Sequence, residues 1–183
     1  MASAKWRVTA ELNALAFAMG SVCGLFPTSV MAQDDVLVEV ETGRLAGVRQ
    51  GTVAVFKGVP YAAPPVGPLR WQPPQRAADW RRVRSARRFG PVARQRVVGG
   101  PGFVTSEDCL YLNVWTKADS ADVNLPVMVW IHGGGWSSGA TASSTYDGFG
   151  FAEKNVVLVS VNYRMNAFGF MAHPALSAES ARG

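Results

Sequence analysis

Val127-Met128-Val129-Trp130-Ile131 and Val156-Val157-Leu158-Val159-Ser160-Val161-Asn162-Tyr163 decide the fold. Both are near-continuous apolar runs of strand length, a pattern that suits strands buried on both faces of a largely parallel sheet. The 24 residues between them suffice for a crossover, and Phe149 to Lys154 offers it a short helical piece. A third candidate strand, Leu110 to Thr116, precedes them. Together they predict an α/β layer architecture. Ligands of such sheets gather at the carboxyl ends of strands, so the loop leaving Ile131 is the place to look for function.

Upstream, Val36-Leu37-Val38-Glu39-Val40 and Thr52-Val53-Ala54-Val55-Phe56 are short β-prone runs separated by glycine-containing turns, which predicts a small antiparallel ribbon. From Pro60 to Gly102 the chain is rich in Pro, Gly and Arg and reads as a long irregular surface segment. Nine arginines lie between Arg70 and Arg96 against a single acid, Asp79. A nucleic-acid patch is one reading of that density. No aromatic ladder interleaves the arginines, so a solvated loop or strand edge is expected and nucleic acid is not an expected partner.

The whole chain has 183 residues, 48% of them hydrophobic and 17% charged, a globular composition of single-domain size. Its 2 His and 2 Cys cannot fill a Cys/His-rich zinc site, so neither metal nor cofactor is expected. At the N-terminus Lys5 and Arg7 precede an apolar stretch from Ala14 to Phe26, and Val30-Met31-Ala32 follows before Asp34-Asp35. That stretch is too short for a membrane span and has the length and flanks of a secretory leader. Residues 1–32 are therefore expected to be a signal peptide cleaved after Ala32, with 33–183 as the exported, secreted or periplasmic part.

The loop after Ile131 reads His132-Gly133-Gly134-Gly135-Trp136. Consecutive glycines are costly in conformational entropy and belong where backbone must approach a group closely or adopt positive φ. Backbone N–H groups exposed in this way at a strand end suit stabilisation of an oxyanion, each donor being worth about 3–4 kcal/mol in acyl transfer. Gly135-Trp136-Ser137-Ser138-Gly139 matches the GxSxG spelling of a nucleophile elbow, but it follows a loop rather than a strand and leads into Ala140 to Thr145, a poor helix start. Ser137 is therefore not expected to be a nucleophile.

Ser106-Glu107-Asp108-Cys109-Leu110-Tyr111-Leu112-Asn113-Val114-Trp115 resembles a signature of the type-B carboxylesterases, the esterase and lipase family that includes cholinesterases. Phe56 to Ala62, Pro64 to Trp71, His132 to Trp136 and Val161 to Phe170 fall in the family's order, so the resemblance spans Val36 to Ser180. It implies the N-terminal part of an α/β-hydrolase fold and hydrolysis of a small carboxylic ester through an acyl-enzyme. It also implies oxyanion-hole N–H groups on Gly134 and Gly135, with His132 and Trp136 framing the loop and acyl pocket. A further implication is a buried, structural ion pair between Arg70 and Glu107, whose loss in Arg70→Ala should cause misfolding.

Two departures from the family stand out. Ala93 occupies the position of the cysteine that often bridges to the one matching Cys109, so Cys109 is expected to be free, buried and inert. The family's GESAGG-like elbow lies downstream of Ala175-Leu176-Ser177, and its acid and catalytic His come later still. The chain is thus expected to carry an oxyanion loop without a Ser-Glu/Asp-His triad and to be inactive alone, with His132 and His173 both non-catalytic. It is also expected to expose an unfinished sheet edge. A truncated, non-catalytic binding or adhesion module stays open as the alternative, as does the oligomeric state.

Overall fold

A computed structural model describes residues 7–9, 35–96, 104–120 and 123–179. Most of the expected 1–32 leader lies outside the described residues. Within it, Arg7–Thr9 forms a short strand, β1, antiparallel to β2 (Asp35–Val40). β2, β3 (Gly43–Gln50) and β4 (Val53–Pro60) make the antiparallel ribbon. The irregular segment carries β5 (Arg84–Ser85), parallel to β3, and β6 (Val92–Ala93), paired with β7 (Thr105–Ser106) in a separate two-stranded sheet.

β8 (Tyr111–Thr116), β9 (Val127–Ile131) and β10 (Val157–Val161) complete the main sheet in the order β1-β2-β3-β4-β8-β10-β9. The ribbon and the central strands are therefore one sheet, joined where β4 pairs with β8. The crossover from β9 to β10 carries α1 (Phe149–Ala152), and α2 (Asn166–Phe170) and α3 (Pro174–Glu179) follow β10.

β4 is the strand around which the core forms, because alternate residues bury opposite faces. Ala54 and Phe56 pack with Val36, Val38, Leu45 and Ala86 on one side. Val53 and Val55 pack with Val48, Trp115, Ala152 and Leu158 on the other. Ala152 brings α1 against β8 and β10. A third cluster, Ala62, Ala93, Cys109, Leu110 and Met165, ties the irregular segment to the start of β8.

Two expectations need correction. β9 and β10 are not both buried on two faces: β10 alternates half-buried with buried residues, whereas all five residues of β9 are exposed. Among the described residues β9 bonds only to β10, and α1 lies against β8 and β10 instead of covering it. Nor is the described sheet largely parallel, since β8 runs antiparallel to both β4 and β10 and, of the long strands, only β9 and β10 run parallel. The arginines at 81, 82, 84, 87 and 88 are exposed. Arg84 lies over the Trp80 ring and Arg87 pairs with Asp35, so part of the basic density is consumed within the fold.

Candidate active site

β9 ends at Ile131, and the next eight residues form a loop with four positive φ values: Gly134 (123°), Gly135 (58°), Trp136 (58°) and Gly139 (124°). The glycines are not equivalent. A Cβ at Gly134 would collide with the Ser138 carbonyl, so both φ and space demand glycine there. A Cβ at Gly135 would meet nothing within 4 Å, so only its left-handed φ resists a side chain, at about 1–2 kcal/mol. The Gly134 and Gly135 N–H groups find no acceptor among the described residues. They border an open cavity of ≈ 400 Å³ lined by Ile131, the His132–Trp136 loop, Tyr163 and Phe170.

The base of the loop is fixed by aromatic stacking. His132 is 3% exposed, its ring lies 4.5 Å from that of Tyr163 at 19°, and the Tyr163 hydroxyl donates to the His132 carbonyl at 2.7 Å. Burial pushes the Tyr163 phenol above its ordinary value, which keeps it a donor. Trp136 sits at the cavity mouth, two-thirds exposed, with its ring 5.8 Å from that of Phe170.

The outer limb depends on two residues that the sequence did not single out. The Gln95 side chain donates to the Gly139 carbonyl and accepts from the Gly139 N–H, both at 2.8 Å. Asn166 donates through its amide to the Ser137 carbonyl at 3.1 Å and to the Arg94 carbonyl at 2.9 Å. Below the loop, Asn113 donates to Thr141 and Ser160, and Thr141 bonds the Asn162 side-chain oxygen through both its N–H and its hydroxyl. All four are buried. Buried polar groups in a strand must be satisfied, so the Asn and Ser in the apolar runs around β8 and β10 are the signal by which this network could have been found.

The other candidates fall elsewhere. Ser137 lies in a turn, with its hydroxyl donating to the Gly134 carbonyl at 3.2 Å, preceded by loop and followed by no immediate helix. His132 Nδ1 contacts its neighbour's carbonyl, and His173 Nδ1 accepts from the Ala175 N–H. Neither histidine is bonded to a hydroxyl among the described residues. Cys109 is buried, and burial together with nearby Asp108 pushes its thiol from 9.0 to about 12.

Arg70 and Glu107 form a two-pronged pair, Nε to Oε2 at 2.5 Å and Nη2 to Oε1 at 2.8 Å. The pair is not buried as the resemblance implied, because the Arg70 side chain is 38% exposed and that of Glu107 18%. It sits at the rim, where the irregular segment folds back on β8 and water still reaches the guanidinium.

Residues 34–182 match the model of the carboxylesterase family. The chain belongs to that family. Its relatives include a fumonisin B1 esterase from Sphingopyxis macrogoltabida, 43% identical over 190 residues, and an acetylcholinesterase from Danio rerio, 42% identical over 159 residues. These alignments cover 100% and 77% of this chain but only 35% and 25% of the relatives. Among solved structures, the Geobacillus stearothermophilus carboxylesterase EST55 superposes with a TM-score of 0.67 at 46% identity, covering 74% of this chain and 28% of that one. A PNB esterase superposes with a TM-score of 0.69 at 39% identity, covering 76% and 29%. The chain therefore spans about a quarter to a third of the relatives it matches.

Proposed function

We propose that this carboxylesterase-family chain supplies the oxyanion hole of a serine esterase acting on small carboxylic esters. The observation that carries the reading is the pair of N–H groups on Gly134 and Gly135, held without an acceptor among the described residues beside a cavity at the end of β9. A carbonyl oxygen seated there gains negative charge as a hydroxyl attacks its carbon, and donors already in place stabilise that charge without reorganising. Trp136 and Phe170 offer the acyl group an apolar wall, and His132, stacked on Tyr163, holds the loop's entry.

The nucleophile, its base and the orienting acid would come from residues outside these 183: the chain spans about a quarter to a third of its relatives, and among the described residues neither histidine is bonded to a serine. Residues 1–32 would direct export and be removed after Ala32. Labelling the native protein with a fluorophosphonate and measuring its intact mass tests this reading. A labelled species well above 19.6 kDa whose N-terminus is Gln33 is expected. An unlabelled protein of 19.6 kDa or less would overturn it and favour a non-catalytic module.

A further inference from the structure

We propose that Gln95 and Asn166 are positioning residues for the oxyanion hole, a clamp without which Gly134 and Gly135 do not hold their N–H groups in place. The inference rests on the assignment of those N–H groups above.

The loop has little that could hold it from within. Four of its residues from His132 to Gly139 are glycines, which have the largest backbone entropy to lose. Its internal bonds crowd onto two carbonyls: that of Gly134 accepts from the N–H and hydroxyl groups of Ser137 and Ser138 at 3.2–3.3 Å, and that of Gly133 contacts His132 Nδ1 at 2.9 Å, so none of them holds Trp136, Ser137 or Gly139 by its own carbonyl. The inner limb is fixed by His132 on Tyr163. The outer limb is fixed by carboxamides reaching in from other parts of the chain.

Gln95 pairs with Gly139 in both directions, as a neighbouring strand would, and its Nε2 also donates to the Ala93 carbonyl at 3.2 Å. Asn166 accounts for the two carbonyls before it in the loop. Its backbone N–H donates to Trp136 at 2.9 Å and its side chain to Ser137, while the same amide holds Arg94. The two carboxamides therefore tie the carbonyls of Ser137 and Gly139 to a single frame, residues 93–95 at the end of β6, and the Asn166 backbone N–H holds that of Trp136. Asn166 does so from φ 54°, a left-handed conformation that asparagine tolerates better than most residues. A glycine would adopt that φ without strain but could supply neither side-chain bond.

The geometry passes directly to the N–H groups. Gly134 lies against the Ser138 carbonyl, and Gly139 packs on the His132 ring, so a shift at Gly139 moves both ends of the loop. A displacement of about 1 Å at a reacting centre costs on the order of 100-fold in rate.

The test uses the intact native protein, comparing the parent with Gln95→Met, which keeps the volume and loses the pairing, and with Asn166→Gly. Each variant is expected to lower kcat by about 10- to 100-fold with KM and melting temperature nearly unchanged. Gln95→Glu adds a pH signature. Its neutral acid can donate and accept like the amide, so activity relative to the parent should fall as the carboxyl ionises. A structural role alone would not produce that profile. Parent-like kcat in both Gln95→Met and Asn166→Gly would overturn the clamp while leaving the esterase reading intact. If the parent hydrolyses no ester, the esterase reading fails, and backbone NMR still decides the clamp. Order parameters at Gly134 and Gly135 falling from about 0.85 to below 0.6 in Gln95→Met support it, and unchanged values overturn it.

Discussion

Val53-Ala54-Val55-Phe56 and Val127-Met128-Val129-Trp130-Ile131 are nearly interchangeable as text, yet the first run is 0 to 5% exposed and the second 40 to 66%. β4 lies between β3 and β8 and fills a cluster on each face; among the described residues β9 pairs with β10 alone. The contrast teaches that an apolar run specifies what a strand can tolerate, while its neighbours decide whether it is buried. Among the described residues, β9 has the composition of an interior strand in an edge position.

The largest expected effect comes from a charge at matched positions. Val55→Asp buries a carboxylate with no partner in a site that is 0% exposed and should abolish cooperative folding, whereas Val129→Asp, at a site 58% exposed among the described residues, should lower the melting temperature far less. Equal loss of folded protein in both would break the comparison. Next comes a tryptophan pair. Trp115→Ala should cost about 3–5 kcal/mol in urea titration, because it empties the centre of the β4 core. Trp130→Ala, which loses little beyond its tilted contact with Tyr146, should cost about 1 kcal/mol.

Alkali gives a smaller, graded effect centred on the buried Cys109 and its neighbour Tyr61. Burial, aided by Asp108, pushes Cys109 from 9.0 to about 12, and burial, aided by Cys109, pushes Tyr61 from 10.0 to about 12. The folded state keeps protons that the unfolded chain releases, so the stability is fully present below pH 9 and is lost as pH rises from about 9 towards 12. Denaturant midpoints should decline across that window, and Cys109 should react with a disulfide reagent at the rate of unfolding. Rapid labelling at neutral pH would contradict the buried assignment. The smallest effect is expected from Arg70→Ala, where solvent already reaches the guanidinium: a lowered melting temperature in a chain that still folds. Complete misfolding would restore the buried pair implied by the resemblance.

The strands with continuous apolar runs were legible because their composition is local information, and β9 is found at its expected residues. β3 was not, because Gly43, Arg44, Gly47 and Arg49 interrupt it and imitate a turn. The structure explains one interruption: a side chain at Gly47 would occupy the space of the Phe56 ring. The His132–Trp136 loop was legible from its glycines, and the structure shows why two of them are needed. Gln95 and Asn166 were illegible because they act on backbone 44 and 29 residues away, through contacts that no local pattern encodes. The antiparallel run of β8 was hidden for a similar reason, since strand direction depends on where the chain re-enters the sheet.

The joint between β4 and β8 also sets a timetable. Pro60 pairs with Tyr111, so the ribbon and the central strands meet only after the chain from Tyr61 to Leu110 has made its excursion and returned. On a ribosome adding about 5–20 residues per second, β4 would leave the exit tunnel roughly 3–10 s ahead of its partner. During that interval Val53 and Val55 lack Trp115, so the nascent ribbon would expose an apolar face, and slow translation of the arginine-rich segment would prolong that exposure.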